Sequence, residues 1–277
     1  MISIHFKEII ESALREDIGM GDLTSKSIFD ADHYSKGTFI AKAEGTLSGL
    51  EVLQIAYNFL EEDVNVNLLK KDGDSVDIKE RIAEVEGPTQ VLLSAERVIL
   101  NLVQHLSGIA TSTAEVIRFL DDPTIEIVDT RKTLPGLRVL QKYAVTCGGG
   151  KNHRFRLDDG VMIKDNHIKA AGSITKAVEL VRSNIGHMVK IEVETESEDQ
   201  VLEAVTAKAD VIMLDNRTPK EIKELVKLIP DEILVEVSGG ITPNTISSFK
   251  DCGADVISLG WLTHSVKAMD ISFNLNT

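Results

Sequence analysis

Aromatic side chains are scarce in this chain. They make up 4% of its 277 residues, with a single tryptophan, so the 43% of hydrophobic residues must pack a core mostly from Val, Ile, Leu and Ala. Such an interior suits a parallel α/β fold, and the length fits one large domain or two smaller ones. Cysteine is nearly absent. Cys147 and Cys252 are far apart and form no metal or redox spacing, which leaves two reduced, structural thiols. Basic residues are in deficit, 30 Lys and Arg against 44 Asp and Glu, for a formal charge of −14. That balance excludes a general nucleic-acid or membrane-surface binder. No apolar run approaches membrane-spanning length, and the start MISIHFKEIIESALREDIG lacks a basic stretch followed by an apolar one. The expectation is a cytoplasmic protein that uses neither membrane nor nucleic acid.

Against this acidic background stands one basic segment, RKTLPGLRVLQKYAVTCGGGKNHRFRLDDGVMIK, from Arg131 to Lys164. It holds eight Lys and Arg against two acids, Asp158 and Asp159. A concave group of Arg, Lys and His attracts and orients phosphates and carboxylates. A solvated basic loop is the bland alternative, and the positions of the charges count against it.

The first hundred residues read as α+β. Residues 5–15 have helical spacing, GTFIAKAEGTLSGL alternates as bent strands do, LSGLEVLQIAYNFLEE returns to helical period, and VNVNLLKKDGDSVDIKERIAEVEG reads as short strands around a DGD turn. A long helix, SAERVILNLVQHLSGIATSTAEVIRFL, then links two domains, with Ser94 as N-cap, Val98, Leu102 and Leu106 on one face, and Gly108 as a bend or interruption. From about residue 124 short β-branched runs alternate with helical ones: IEIVDTRK, GVMIKDN, VKIEVETE, ADVIMLDN, ILVEVSGG and ADVISLGW, separated by SITKAVELVRS, SEDQVLEAV, TPKEIKELVKLI and TPNTISSFKDCG. A β-α series of this length implies a parallel sheet, open or closed. Barrels place their chemistry at the C-terminal strand ends, which is where Arg131, Lys132, Lys164, Glu194, Asp215, Ser238, Gly239 and Gly260 fall.

These residue types suggest a chemistry. SGGIT and SLGWLT close the last two units, and small residues there let backbone N–H groups approach a phosphate. Glu194 and Asp215 each end a strand. Two carboxylates at one pocket can hold Mg²⁺, bind sugar hydroxyls or stabilise a cationic transition state. Glu194 is chosen over Glu192 and Glu196, which share its parity. His153 lies between Lys151 and Arg154 and is expected to donate to an anion, because no second His stands at metal-ligand spacing. A carrier role for DGDSVDIKERIAEVEG is set aside, because no exposed lysine occupies a tight turn.

Together EDIGMGDLTS, AERVILNLVQHLSGIAT, VDTRKTLPGLRVLQKYAVTCGGGKNHR, IKDNHI, IEVETE, IMLDN, VSGGIT and GWLTHS resemble, in order and over nearly the whole chain, the quinolinate phosphoribosyltransferase family. A relative linked to molybdate transport shares the RK…PG and HR blocks but lacks the KDNH seen at Lys164–His167, and ranks second. The resemblance implies an N-terminal α/β sandwich domain over 1–106, followed by an incomplete, open TIM-like α/β barrel over 107–277. It implies a homodimer, with a hexamer as the larger alternative, in which Arg97 is donated to the neighbouring active site. It also implies a pentosyl transfer from phosphoribosyl pyrophosphate (PRPP) to quinolinate with decarboxylation, giving nicotinate mononucleotide, pyrophosphate and CO₂ for NAD biosynthesis, with Mg²⁺ as cofactor.

By the same resemblance, Arg131, His153, Arg154 and Lys164 form the quinolinate pocket beside Thr130, and Lys132 faces PRPP. Glu194 and Asp215 lie near the ribose and Mg²⁺. Lys132, Glu194 and Asp215 form the catalytic set, and Ser238–Gly240 with Leu259, Gly260 and Trp261 form the 5′-phosphate loops. Two positions depart from the family pattern. Trp261 replaces a small residue, and Arg156 adds a cation expected to pair with Asp158 or Asp159. Nicotinate phosphoribosyltransferase, acting on a monocarboxylate that needs fewer cations, and a metabolite-binding barrel without turnover are the competing readings.

Overall fold

The computed structural model describes residues 4–61 and 63–276. In chain order, α1 (Ile4–Ile18) and α2 (Leu23–Ile28) precede β1 (Tyr34–Ala41) and β2 (Gly45–Thr46). Then come α3 (Glu51–Leu60), β3 (Asn65–Leu68), β4 (Ser75–Val76), β5 (Arg81–Pro88) and α4 (Thr89–Leu120). The rest runs β6 (Glu126–Val128), α5 (Arg138–Cys147), β7 (Val161–Ile163), α6 (Asp165–Ala171), α7 (Ile174–Arg182), β8 (Ile191–Thr195) and α8 (Glu198–Thr206). It continues β9 (Val211–Asp215), α9 (Pro219–Leu225), β10 (Leu234–Ser238), β11 (Val256–Ser258), α10 (Trp261–His264) and β12 (Ile271–Asn276). Two compact units result, and they are not consecutive in sequence. One runs to Ala114 and takes in Thr133–Gly149 and the C-terminal residues from Leu262; the other takes Glu115–Lys132 and Gly150–Trp261.

The first unit centres on an antiparallel sheet in the order β12-β1-β5-β3. The C-terminal strand pairs with β1 so that Phe39 lies opposite Phe273, with ring centroids 4.7 Å apart. Apolar residues four apart on α1 bury Phe6, Ile10 and Leu14, and each full burial of such a side chain stabilises by about 1.5–3 kcal/mol. After the turn at Gly19 and Gly21, Asp22 starts α2 by accepting the N–H groups of Thr24 and Ser25, both at 3.0 Å. The last residues of EDIGMGDLTS, Leu23–Ser25, thus open a short helix.

Helix α4 begins at Thr89, five residues before the expected N-cap Ser94. Thr89 is fully buried and bonded through its hydroxyl to His33 and Ser35. Val98, Leu102 and Leu106 do share a buried face. Gly108 does not interrupt the helix: a side chain there would run into the Lys267 carbonyl. Helix α5 also belongs to this unit, with Lys142 fully buried on it. Two of the eight cations of the basic segment, Arg138 and Lys142, therefore lie on a helix rather than at strand ends.

The second unit is a six-stranded parallel sheet in the order β6-β11-β10-β9-β8-β7. The order is that of the chain wrapped round on itself, with β11 beside β6 and the ring open between β6 and β7. Lys151 bridges to Val128 on that free side of β6. Alternate strand residues, including Ile191, Val193, Ile212, Leu214, Val235, Val237 and Ile257, are fully or almost fully buried, which is the aliphatic interior expected. Ser173 and Ser197 cap α7 and α8, and Thr218 with Glu221 forms a capping box before Pro219 on α9. The expected helix TPNTISSFKDCG is only a 3₁₀ turn, Ile246–Phe249. Among the described residues no helix is long and apolar enough to cross a membrane.

Candidate active site

The C-terminal strand ends of the second unit surround a cavity of about 420 Å³, within the range of small-molecule sites. Register builds its wall in layers. Glu194, Met213 and Glu236 are neighbours across β8, β9 and β10. One step further on, Asp215 lies beside Ser238, and Ser238 meets Ser258 hydroxyl to hydroxyl at 3.1 Å. Thr130, Arg131, Lys132, His153, Arg154 and Lys164 complete the lining with Met162. Nine of the residues expected from sequence thus meet at one cavity. Gly239 and Gly240 sit on the loop leaving β10, Leu259 and Gly260 on the loop leaving β11, and Trp261 opens α10, all beyond the lining. Arg97 is in the other unit, on α4, exposed and 3.9 Å from Glu96.

The loop carrying His153 and Arg154 is anchored from below. Asp129, fully buried after β6, accepts the His153 N–H at 3.0 Å and the Asn152 amide at 2.6 Å. Arg154 donates to the Gly160 carbonyl at 2.6 Å. Burial and the neighbouring Arg131 charge both lower the Arg154 pKa, against Glu192 and Asp159. Two guanidinium groups held so near each other call for an anion between them. Arg156 pairs instead with Asp158 at 2.9 Å.

The imidazole of His153 is turned onto two carboxylates that sequence reasoning passed over. Its Nε2 lies 3.1 Å from Glu192 and 3.4 Å from Glu236, both nearly fully buried. Burial lowers its pKa, while the hydrogen bonds to Glu192 and Glu236 raise it. The Arg154 N–H, 2.7 Å from Nδ1, works the other way, because a protonated Nδ1 has no lone pair to accept it. A neutral ring protonated on Nε2 meets both contacts, and that is the tautomer the geometry selects. Any further proton then falls to Glu192, whose pKa burial raises, helped by Glu236 and opposed by His153. One oxygen of each carboxylate is buried without a hydrogen-bond partner. The three groups lie within 4.8 Å of one another, a spacing that can also hold a metal ion. Signals for both acids were present in sequence: Glu192 shares strand parity with Glu194, and Glu236 is a charge inside the apolar run ILVEVS.

A second acidic centre lies higher in the cavity. Lys164 forms an ion pair with Glu194. Burial, then the charge of Glu194, raises the pKa of Asp215, while Lys164 and Lys132 lower it. Asn216 adds a 2.6 Å bond from its amide to Asp215. Two oxygen donors in mutual repulsion, partly offset by lysines, suit a hard divalent cation.

Comparison with known proteins bears on the family of the chain. The family model for the N-terminal domain of quinolinate phosphoribosyl transferase matches residues 22–107, and that for the C-terminal domain matches 109–274. A probable carboxylating nicotinate-nucleotide pyrophosphorylase of Bacillus subtilis is 52% identical over 99% of this chain and 95% of its own length. A mitochondrial decarboxylating quinolinate phosphoribosyltransferase of Nicotiana tabacum is 38% identical over 98% of this chain and 82% of its own. The crystal structure of NadC from Streptococcus pyogenes superposes with a TM-score of 0.97 at 40% identity, covering 100% of this chain and 98% of that one.

Proposed function

The chain belongs to the quinolinate phosphoribosyltransferase family, and from that premise we propose how its residues divide the work. The reaction converts quinolinate and PRPP to nicotinate mononucleotide in NAD biosynthesis, a pentosyl transfer. The observation that carries the assignment of residues is the crowding of Arg131, Lys132, Arg154 and Lys164 at one cavity of an acidic protein. A dianion such as quinolinate needs several cations to leave water. Arg131 and Arg154 take its carboxylates, and His153, fixed at both ring nitrogens, shapes the floor beneath them. Lys132 faces the pyrophosphate of PRPP, and the loops Ser238–Gly240 and Leu259–Trp261 take its 5′-phosphate through backbone N–H groups.

The pyridine nitrogen displaces pyrophosphate at the anomeric carbon through an oxocarbenium-like state, which the carboxylates of Glu194 and Asp215 stabilise from the ribose side. The ring, now a cation, loses the carboxylate next to nitrogen as CO₂. The electron pair left on carbon is stabilised by the adjacent N⁺ and takes a proton. No side chain forms a covalent bond, and positioning with electrostatics does the chemistry. Glu194 and Asp215 would hold Mg²⁺, whose part when bound is to neutralise the leaving pyrophosphate.

We further propose a homodimer in which Arg97 of each protomer completes the other's site, and a cytoplasmic location, which suits two free cysteines. The deciding assay supplies quinolinate, PRPP and Mg²⁺ and follows nicotinate mononucleotide and CO₂, with nicotinate in parallel. Product from quinolinate alone is expected. Turnover of nicotinate alone, or of neither acid, would overturn the reading.

A further inference from the structure

The loop after β10 has an unusual backbone. Gly239 and Gly240 are consecutive residues with positive φ, +89° and +65°. A glycine pair of this kind is the least constrained stretch a chain can have, so its shape must be imposed from outside. Three contacts impose it, one from each side and one from below. Asn216, itself at φ +54°, donates its N–H to the Ser238 carbonyl at 2.9 Å and fills the space where a Gly239 side chain would stand. Ser258 donates to the Ser238 hydroxyl at 3.1 Å. On the far side, the indole N–H of Trp261 donates to the Ile241 carbonyl at 2.9 Å. The strand-end loops after β9, β10 and β11 are thereby stitched into one piece, and the last stitch depends on a half-buried tryptophan that does not line the cavity.

We propose that Trp261 is a positioning residue for the phosphate end of the pentose donor. By tying the loop after β11 to Ile241, it holds the N–H groups of the double-glycine turn in the arrangement that takes a phosphate monoester. This rests on the reading of these loops as the 5′-phosphate site. It adds that the indole N–H, acting through Ile241, sets how tightly the donor is held, with no effect on the acid that accepts the pentose. The tryptophan is the only one in the chain, so its emission reports on this loop alone.

The test is steady-state kinetics of Trp261→Phe, which keeps a ring and removes the N–H, with each substrate varied in turn. The KM for PRPP is expected to rise about three- to tenfold, the effect of one lost hydrogen bond, with kcat and the KM for quinolinate within about twofold. Loss of a merely structural contact would move both KM values together with the melting temperature, and that pattern overturns the proposal. So does a KM for PRPP unchanged within about twofold. A second measurement uses the unmodified protein: tryptophan emission during titration with ribose 5-phosphate, with inorganic phosphate and with quinolinate. A saturable change with ribose 5-phosphate, displaced by inorganic phosphate and absent with quinolinate, supports the proposal. A silent tryptophan in protein that turns PRPP over sinks it while leaving the reaction assignment intact, whereas absence of any turnover sinks the loop reading beneath it.

Discussion

His153 and Glu192, 39 residues apart in the chain, are joined by a 3.1 Å hydrogen bond under the floor of the cavity, with Glu236 on the other side of the same nitrogen. Because the Arg154 N–H points at Nδ1, nitrogen-detected NMR at neutral pH is expected to find this imidazole neutral and protonated on Nε2, with His153→Asn identifying the signal. An imidazolium spectrum would show instead that the two carboxylates prevail over the backbone contact.

The same contact predicts a graded mutational response. In Glu192→Gln an oxygen still accepts from Nε2, whereas Glu192→Leu removes the nearer acceptor and leaves the nitrogen only Glu236, at 3.4 Å. The leucine variant should raise the KM for quinolinate roughly tenfold more than the glutamine variant does, while the KM for PRPP stays close to that of the unaltered enzyme. Equal losses in both variants would mean that negative charge, not the hydrogen bond, is what the site uses.

Lys164 governs the acidic centre above. Its charge lowers the pKa of Asp215, which burial and Glu194 raise. Removing it in Lys164→Ala should therefore raise the Asp215 pKa further. The carboxylate must be ionised to hold a divalent cation, so the acid limb of the Mg²⁺-dependent rate should move to higher pH. Saturating Mg²⁺ should pull that limb back, because the cation competes with the proton. A pH profile that keeps its acid limb in the variant would remove Asp215 from the cation site.

Arg131 carries the dianion reading. A planar, two-pronged guanidinium matches a carboxylate in a way that an ammonium does not. Arg131→Lys should thus lose most of the activity that Arg131→Ala loses, and kcat/KM for quinolinate should fall roughly 10²-fold or more in the alanine variant. Full activity in either variant would break the assignment.

Much of this site was legible because its residues stand directly after apolar strands. Arg131, Lys164, Glu194, Asp215 and Ser238 all follow or end a β-branched run, and the barrel rule brings such positions together whatever the loops do. Glu192 and Glu236 were passed over for the opposite reason: they lie inside strands, and only pairing with His153 makes burial there tolerable. Lys142 shows the same limit. Its local sequence reads as part of a basic stretch, yet α5 buries it in the first unit, and that placement depends on contacts far away in the chain. Helix α4 starts early because Thr89 is bonded to His33 and Ser35, more than fifty residues upstream, beyond the reach of any capping motif.

Arg97 gives the proposed dimer a decisive test. If each protomer lends this side chain to the other's cavity, Arg97→Ala and Arg131→Ala should each be nearly inactive as pure proteins. Mixed and re-equilibrated, they should form hybrids in which one site carries both defects and the other carries neither. Random pairing makes half the dimers hybrids, each with one of its two sites intact, so activity should recover to about a quarter of the unaltered level. No recovery, in a mixture shown by differential tagging to contain hybrids, would place Arg97 in its own protomer's site or outside the chemistry.

Gly108 offers a test of the fold that is independent of the reaction. In the middle of a 32-residue helix, replacing glycine by alanine ordinarily stabilises by up to about 1 kcal/mol. Here the new methyl group would meet the Lys267 carbonyl and the Ala268 backbone, main-chain atoms that cannot rotate away. Met269, next along that segment, donates its N–H to the Gln104 carbonyl at 2.9 Å one helical turn before Gly108, so retreat of the segment would break a hydrogen bond as well. The clash should exceed the propensity gain, and Gly108→Ala should lower stability by about 1–3 kcal/mol in chemical denaturation. A gain in stability would mean that the C-terminal segment can lift off α4 at little cost, and that the close approach between them is not what requires glycine at this position.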